Sequence, residues 1–462
     1  MIKITIPNNN VNERKYILDI IFDEFLGLSY EIVISDLGLV ISDWEIELEN
    51  GAKLIVEDHF FNKYPNDLEY LNLENIPSTI NYQQKTNNQF ILENDIPIIY
   101  GINHQPQITN HQPPTTIICE ADIFASSFFM LTRWEEYVNK KRDKHNRFSA
   151  TESLAFKQSF LDRPVVNEYV EMLKNMMKKL DNTLVFKEKK FSFLLTHDVD
   201  SVAKYNNIKS CILELGADIL KRKSIILAMK SLMRQVNVKI LKTKKDPFDT
   251  FDYLMDISEK VNTKSYFFFM GKGETKYDNH YKSSSKTVLK IVENIKSRGH
   301  EIGIHPSYSA YNDFEQFKKE KEELEQNLNT TITFGREHYL RFEVPTTWQI
   351  WEDNGMEWDS TCSYADKEGF RCGVCYEYSV FNILTRKKLK LKEKPLVVME
   401  TSLFTYQNLN DEKIISGVRK LLEKVIKYNG NFVFLWHNSS FKSVNLESEQ
   451  TLYEKIIKGS VN

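Results

Sequence analysis

From residue 191 onward the chain repeats one unit, a short apolar run that ends in polar residues and is followed by a helical segment. The runs are FSFLLTHDVD, SYFFFMGKG, HEIGIHPSY, TITFGREHY, LVVMETSLF and NFVFLWHNSS. Between several of them lie SSSKTVLKIVENIKSRG, DFEQFKKEKEELEQNL and EKIISGVRKLLEKVIKYNG, with apolar residues at helical spacing. Such alternation predicts a mainly parallel sheet or barrel with both faces covered by helices. Polar side chains at the carboxyl ends of its strands are where that architecture places chemistry. Five of the ten histidines, His197, His300, His305, His338 and His437, fall in or beside those ends.

The first 190 residues keep a different rhythm. YEIVIS, LVISDWEIEL and AKLIVEDHFF alternate like short strands, the Gly, Pro and Asn-rich pieces between 76 and 116 read as loops, and PTTIICEADIFASSFFMLTRWEEYV turns helical. RPVVNEYVEMLKNMMKKL predicts a further helix with Pro164 near its first turn. The expected division is an α/β domain over 1–120, a helical connecting segment over 121–190, and a larger α/β domain over 191–462. That last domain carries an insertion at about 201–247.

Residues 201–250 hold eleven Lys or Arg against four Asp or Glu, around ADILKRKSIILAMKSLMRQVNVKIL. Two readings stand: a helical insertion whose apolar stripe packs on its own domain, or peripheral contact with an anionic membrane through residues 217–240. Nucleic acid is not expected as a partner, because neither an aromatic stacking pattern nor a reading motif accompanies the charge. The net charge of −3 gives no general attraction to a polyanion either. With 462 residues, 41% hydrophobic and 27% charged, the chain can bury the cores of two or three domains. No basic segment leads into an apolar one at the start, and no apolar run reaches about 18 residues. A cytoplasmic protein, at most peripheral at the inner face of the membrane, is the expectation. Five cysteines, an odd number, suit a reducing compartment. Cys372 and Cys375 form a CxxC-like pair with no second pair nearby.

THDVD sets Asp198 and Asp200 two apart at a strand end, where they share a face if the strand continues. Two close carboxylates favour a division of labour, one held ionised by a metal and the other accepting a proton. The order THDVD, GHEIGIH, GREHYLRF, DST and LWHN resembles the polysaccharide deacetylase superfamily (NodB homology, carbohydrate esterase family 4) over roughly residues 190–445. DIFASSFFMLTRWEEY is similar to the N-terminal region that accompanies a divergent bacterial subgroup of such domains.

The resemblance implies an α/β fold, a distorted (β/α)7-type NodB-like barrel preceded by a smaller α/β domain. It also implies one divalent metal ion, zinc foremost, and removal of an acetyl group from an N-acetylated sugar. Carried over by position, Asp198 is the general base, Asp200 and His305 are metal ligands, and Arg336 is the family arginine. His437 is the late histidine that protonates the leaving amine. The family's second metal histidine sits four residues after the first, where this chain has Ser309. Three accounts follow: His338 supplies the third ligand, Ser309 or Glu400 or a water completes a weaker site, or the metal is lost. Arg341, Tyr339, Tyr308, Asp359 and Trp436 are the expected substrate-binding residues. His300, five residues before His305, should face the opposite side of the strand and serve folding. The expected function is a carbohydrate N-deacetylase acting on an acetylated sugar of an intracellular cell-envelope glycan precursor or lipid-linked intermediate. The alternative is a non-catalytic glycan-binding or assembly protein on a degenerate barrel, with Ser309 as its strongest support.

Overall fold

The computed structural model describes residues 1–462 apart from 36–41, 86–87, 110–114, 206–207, 221–222, 274, 279–280, 442–445 and 460–462. Its strands in chain order are β1 (Ile2–Ile6), β2 (Tyr30–Ile34), β3 (Trp44–Glu47), β4 (Lys53–Val56), β5 (Asn81–Gln84), β6 (Asp95–Ile98), β7 (Gln107–Thr109) and β8 (Thr116–Cys119). They continue as β9 (Ser192–Val199), β10 (Ser265–Met270), β11 (Glu301–His305), β12 (Phe334–Gly335), β13 (Trp358–Asp359), β14 (Tyr378–Asn382), β15 (Lys387–Glu393), β16 (Val398–Met399) and β17 (Asn431–Leu435). The chain divides into two compact units. The first gathers Met1–Ser192, Tyr339–Val397 and Glu423–Phe432, and the second Phe193–His338, Val398–Leu422 and Val433–Asn462. A single cut near residue 190 therefore does not describe it, because two later segments group with the N-terminal residues.

In the first unit β2-β1-β3-β4-β8-β7 form one sheet, with β1 parallel to β2 and β4 parallel to β8. Period-2 alternation buries Ile2, Ile4 and Ile6 while Lys3 faces out. The helix Ile123–Thr132 is apolar on nearly every side, and all ten of its residues are buried. Asp122 caps it by accepting the Ala125 N–H at 3.0 Å. The second expected helix runs Val165–Leu180 with Pro164 at its N-cap. The stretch read as loops contains β5, β6 and β7, so that expectation is corrected. These three strands are only three or four residues long, carry Pro97 and several polar side chains, and gain their extended form from pairing rather than from a hydrophobic period. Leu39, Val40 and Ile41, part of an expected strand, lie outside the described residues.

In the second unit β9, β10 and β11 pair in parallel and in sequence, and β12 joins β11 through Ile304 and Gly335. On the other side β17 pairs in parallel with β16. Phe267, Phe268 and Phe269 in β10 are fully buried, as expected of a strand covered on both faces. The helices Lys286–Ser297 and Phe314–Leu328 precede β11 and β12, and the side chains of Ser285 and Asp313 cap them. The parallel sheet thus follows the expected alternation. Closure into a (β/α)7 barrel is not seen within this unit, since no pairing joins β12 to β16 among the described residues.

Candidate metal centre

The parallel register brings several strand ends to one edge of the second unit. Asp198 of β9 lies opposite Phe268 of β10, and His305 of β11 opposite Met270 of β10. Alternation along β9 turns Thr196 and Asp198 to one face and His197 to the other. The buried Arg336 guanidinium confirms the first face: its Nη1 donates to Thr196 Oγ1 at 3.0 Å and to Asp198 Oδ1 at 2.8 Å. His197 is satisfied on the other face, with Nδ1 donating to the Trp436 carbonyl at 2.8 Å and Nε2 facing Ser265 Oγ at 3.0 Å. Burial lowers its pKa to about 4, so it stays neutral in the core.

Asp200, His305 and His338 converge, each offering one donor atom within 4.8 Å of the others. Asp200 Oδ1 stands 3.4 Å from His305 Nε2 and 3.7 Å from His338 Nε2. It is buried and has no hydrogen-bond partner among the described residues, although the side chain as a whole is 37% exposed. A lone buried carboxylate oxygen is costly unless something positive meets it.

Both imidazoles turn Nε2 toward Asp200 and are held from behind through Nδ1. His305 Nδ1–H donates to the Arg336 carbonyl at 2.6 Å, which fixes its tautomer. That contact depends on Gly335, because a Cβ there would overlap the Ile304 carbonyl oxygen and push β12 off β11. His338 Nδ1 faces Asp278 Oδ1 at 3.4 Å. Asp278 is anchored in turn by the Thr275 N–H at 2.8 Å, the Thr275 hydroxyl at 2.6 Å and the Tyr308 N–H at 2.7 Å. A Cβ on Gly273 would overlap Asp278, so this loop needs glycine for close approach. Carboxylate-to-histidine support of this kind is the usual backing of a metal-ligating imidazole.

The donor set fits a divalent ion. Donors about 2.0–2.1 Å from a tetrahedral centre stand roughly 3.4 Å from one another, close to the 3.4 and 3.7 Å that separate Asp200 Oδ1 from the two imidazole nitrogens. One carboxylate oxygen and two imidazole nitrogens suit zinc, and the part-exposed Asp200 leaves a way in. Burial opposes charge on Asp200, but the facing His305, His437 and His338 outweigh it and hold the carboxyl well below the usual range. Burial also opposes charge on His305, where Asp198 and Asp200 prevail and raise its pKa.

His437 follows β17, and its Nε2 lies 3.8 Å from Asp200 Oδ2. Its Nδ1 meets Glu400 Oε1 at 2.6 Å, and the Ser440 hydroxyl donates to the same oxygen. Burial disfavours the imidazolium, yet the Glu400 carboxylate outweighs that and raises the His437 pKa to about 9. Glu400, expected as an alternative ligand, is thereby engaged as the partner of His437. Asp198 Oδ2, the oxygen not paired to Arg336, stands 3.8 Å from His305 Nε2.

The other expected site residues make the following contacts. Trp436 is fully buried among Phe404, Phe434, Phe441 and Tyr453, so the expected substrate contact is corrected to core packing. Tyr308 contributes its backbone N–H to Asp278, and its ring leans on Tyr277 with centroids 4.5 Å apart. Ser309 occupies the N-cap of the short turn Ala310–Asn312. Tyr339, Arg341 and Asp359 belong to the first unit, where the Tyr339 carbonyl accepts from Arg147 at 3.0 Å, Arg341 Nε donates to the His145 carbonyl at 2.9 Å, and Asp359 accepts from Thr361. Tyr339 and Leu340, directly after His338, both hold positive φ, at 62° and 54°. His300 lies just before β11, accepting the Ser265 N–H at 3.0 Å and facing Glu259 at 3.2 Å. Sequence reasoning missed Asp278 and Thr196, because their roles rest on contacts 60 and 140 residues away in the chain.

Residues 2–182 match a family of unknown function, DUF7033. No curated protein matches the chain. Among solved structures, a Mycobacterium smegmatis protein assigned as a polysaccharide deacetylase aligns at 15% identity over 59% of this chain and 85% of its own, with a TM-score of 0.38. A CE4 family pseudoenzyme from Bacillus anthracis aligns at 13% identity over 58% of this chain and 62% of its own, with a TM-score of 0.29. A peptidoglycan N-acetylglucosamine deacetylase bound to an N-hydroxy benzamide aligns at 15% identity over 59% and 82%, also at 0.29. Values this low leave function to the geometry of the site itself.

Proposed function

We propose that the chain is a metal-dependent hydrolase that removes the N-acetyl group from a sugar of a cell-envelope glycan precursor or lipid-linked intermediate. The observation that carries this reading is the convergence of Asp200, His305 and His338, flanked by Asp198 on one side and His437 on the other. These three residues would hold one divalent ion, zinc foremost. When bound, such an ion supplies Lewis acidity toward a carbonyl oxygen and lowers the pKa of water.

The chain's own groups account for the proton transfers. Asp198, aimed by Arg336 through Oδ1, keeps Oδ2 available to accept a proton from the attacking water. As the water oxygen bonds to the acetyl carbon, the carbonyl electron pair moves to oxygen. On collapse the C–N bond breaks, and His437, charged near neutral pH through its pairing with Glu400, gives its Nε2 proton to the departing sugar nitrogen. Acetate and the free amino sugar are the products.

The competing reading, a glycan-binding protein without chemistry, drew its support from Ser309. His338 offers a third donor in place of the histidine absent there. Zinc-loaded protein should release acetate from N-acetylated sugars and lose that release in Asp198→Asn with zinc retained. Zinc binding with no release from any N-acetylated glycan precursor tested would favour the binding protein instead. A cytoplasmic setting completes the proposal; no described helix is long and apolar enough to cross a membrane.

A further inference from the structure

The helices Ile208–Leu220 and Ile225–Lys239 form a hairpin that is built inside out. Its buried side chains are small or polar: Asp218, Ala228, Ser231 and Gln235. The Ser231 hydroxyl donates to Asp218 Oδ2 at 2.6 Å, and Gln235 Nε2 donates to the Cys211 carbonyl at 3.2 Å, so polar bonds close the seam. The large apolar side chains point the other way. Ile219, Leu220, Ile225, Ile226, Met229 and Met233 are between 51% and 79% exposed. On the second helix Ile225, Ile226, Met229 and Met233 fall at i, i+1, i+4 and i+8, which is one face. A hydrophobic face of that extent marks a surface that meets a partner.

Charge identifies the partner. Between residues 209 and 245 the sequence holds ten Lys or Arg and two Asp or Glu. Lys223, Lys230, Lys239 and Lys242 are exposed along the same helix and its ends. Lys221 and Arg222, counted in the sequence, lie outside the described residues. A second copy of the chain would oppose the same ten cations to its own, whereas an anionic bilayer offers phosphates to the lysines and acyl chains to the apolar face. Neither helix can cross a membrane, so the hairpin would lie along its surface. The cavity of about 700 Å³ at the hairpin base does not compete as an anion pocket. Lys230, Arg234 and Lys244 line it together with Asp249, Asp252 and Asp256, whose charges oppose theirs.

The hairpin is also rooted beside the metal centre. Its entry begins at Ser201, next to Asp200, and Asp246 at its exit accepts the Lys204 N–H at 2.7 Å and the Tyr205 N–H at 3.1 Å. Asn438, next to His437, donates to the Ser201 carbonyl at 2.8 Å and to the Phe248 carbonyl at 2.9 Å. Both legs are therefore tied to each other and to the residue that follows His437.

We infer that this hairpin docks on an anionic bilayer and holds the metal centre at the membrane surface, toward an acetylated sugar carried on a lipid. The docking stands on the hairpin itself, and the sugar rests on the proposed hydrolase reading. The test is co-sedimentation of the full chain with phosphatidylcholine vesicles made with and without phosphatidylglycerol. Binding to the anionic vesicles, weakened by high salt, is expected, and a Met229→Glu/Met233→Glu variant should lose about tenfold or more in partitioning. Both positions are exposed, so the variant should keep the parent's melting temperature. Lys230→Glu/Lys239→Glu should weaken binding to the anionic vesicles as well. The proposal is overturned if the parent stays in solution with anionic vesicles, or if the methionine variant binds as the parent does. It is equally overturned if the apolar face proves to join two copies, shown by a dimer in light scattering that the methionine variant dissolves while vesicle binding is absent. Zinc content of the same preparations reports on the metal centre separately, so loss of docking and loss of the hydrolase reading can be told apart.

Discussion

Asp200 Oδ1 is buried with two imidazole nitrogens facing it at 3.4 and 3.7 Å, and its neighbours are tuned around that atom. Asp278 holds His338 from behind, so Asp278→Asn should weaken zinc binding by about 10- to 100-fold with the fold intact. Competition against a chromogenic chelator measures this, and parent-like affinity would rule out the supporting role. Arg336 is fully buried with Asp198, and removing one partner of such a pair strands the other charge. Arg336→Met should therefore cost about 3–5 kcal/mol in urea unfolding, while Asp198→Asn, which leaves a neutral acceptor, should cost less. Glu320 gives a pH signature. Burial raises its pKa from 4.5 to about 7, against the hydrogen bonds from Ser307 and Gln316. Because the folded value lies above the unfolded one, its contribution is complete below pH 4.5 and is lost as pH rises through about 7. Glu320→Gln should thus gain stability relative to the parent between pH 5 and 8, by up to about 3 kcal/mol, in denaturant melts across that range. A difference independent of pH would contradict this.

At the scale of elements, what the sequence revealed and what it hid follow from the range of the contacts involved. Strand ends bearing Asp198, Asp200, His305 and His437 were legible because each apolar run stops at its polar residues, and a parallel sheet gathers such ends along one edge. His300 precedes β11 and is engaged by Ser265 and Glu259, so strand alternation does not decide its face. His338 was legible as one of three accounts of the third ligand, but the way it reaches the site was not. It is carried by β12, two residues long, whose seat against β11 rests on Gly335 having no side chain. Gly335→Ala should disturb this seat, breaking the bond from His305 Nδ1 to the Arg336 carbonyl, lowering zinc affinity and reducing the melting temperature together. Normal affinity in a folded Gly335→Ala protein would show that β12 does not set the histidine's orientation. Trp436 was misread because an aromatic residue beside a strand-end histidine looks the same in sequence whether it faces a ligand or a core. Here four aromatic neighbours enclose it. The loops read between 76 and 116 hide three strands for the same reason, namely that their partners and not their own pattern make them extended.

Over the whole molecule, the metal centre lies within one unit, drawing on β9, β11, the turn after β12 and the end of β17. The division of the chain itself was not legible, because nothing in composition marks 339–397 or 423–432 as belonging with the N-terminal residues. A ligand that binds only the folded state stabilises it by mass action, so zinc at a thousand times its dissociation constant should add about 4 kcal/mol, and a chelator should remove it. The most direct test is the metal content of the full chain purified without added zinc or chelator, set beside His305→Ala and His338→Ala. About one equivalent in the parent, with clear loss in both variants, is the predicted result. No metal in the parent even after divalent ions are supplied, or full content in both variants, would contradict the assignment of Asp200, His305 and His338 as a metal centre.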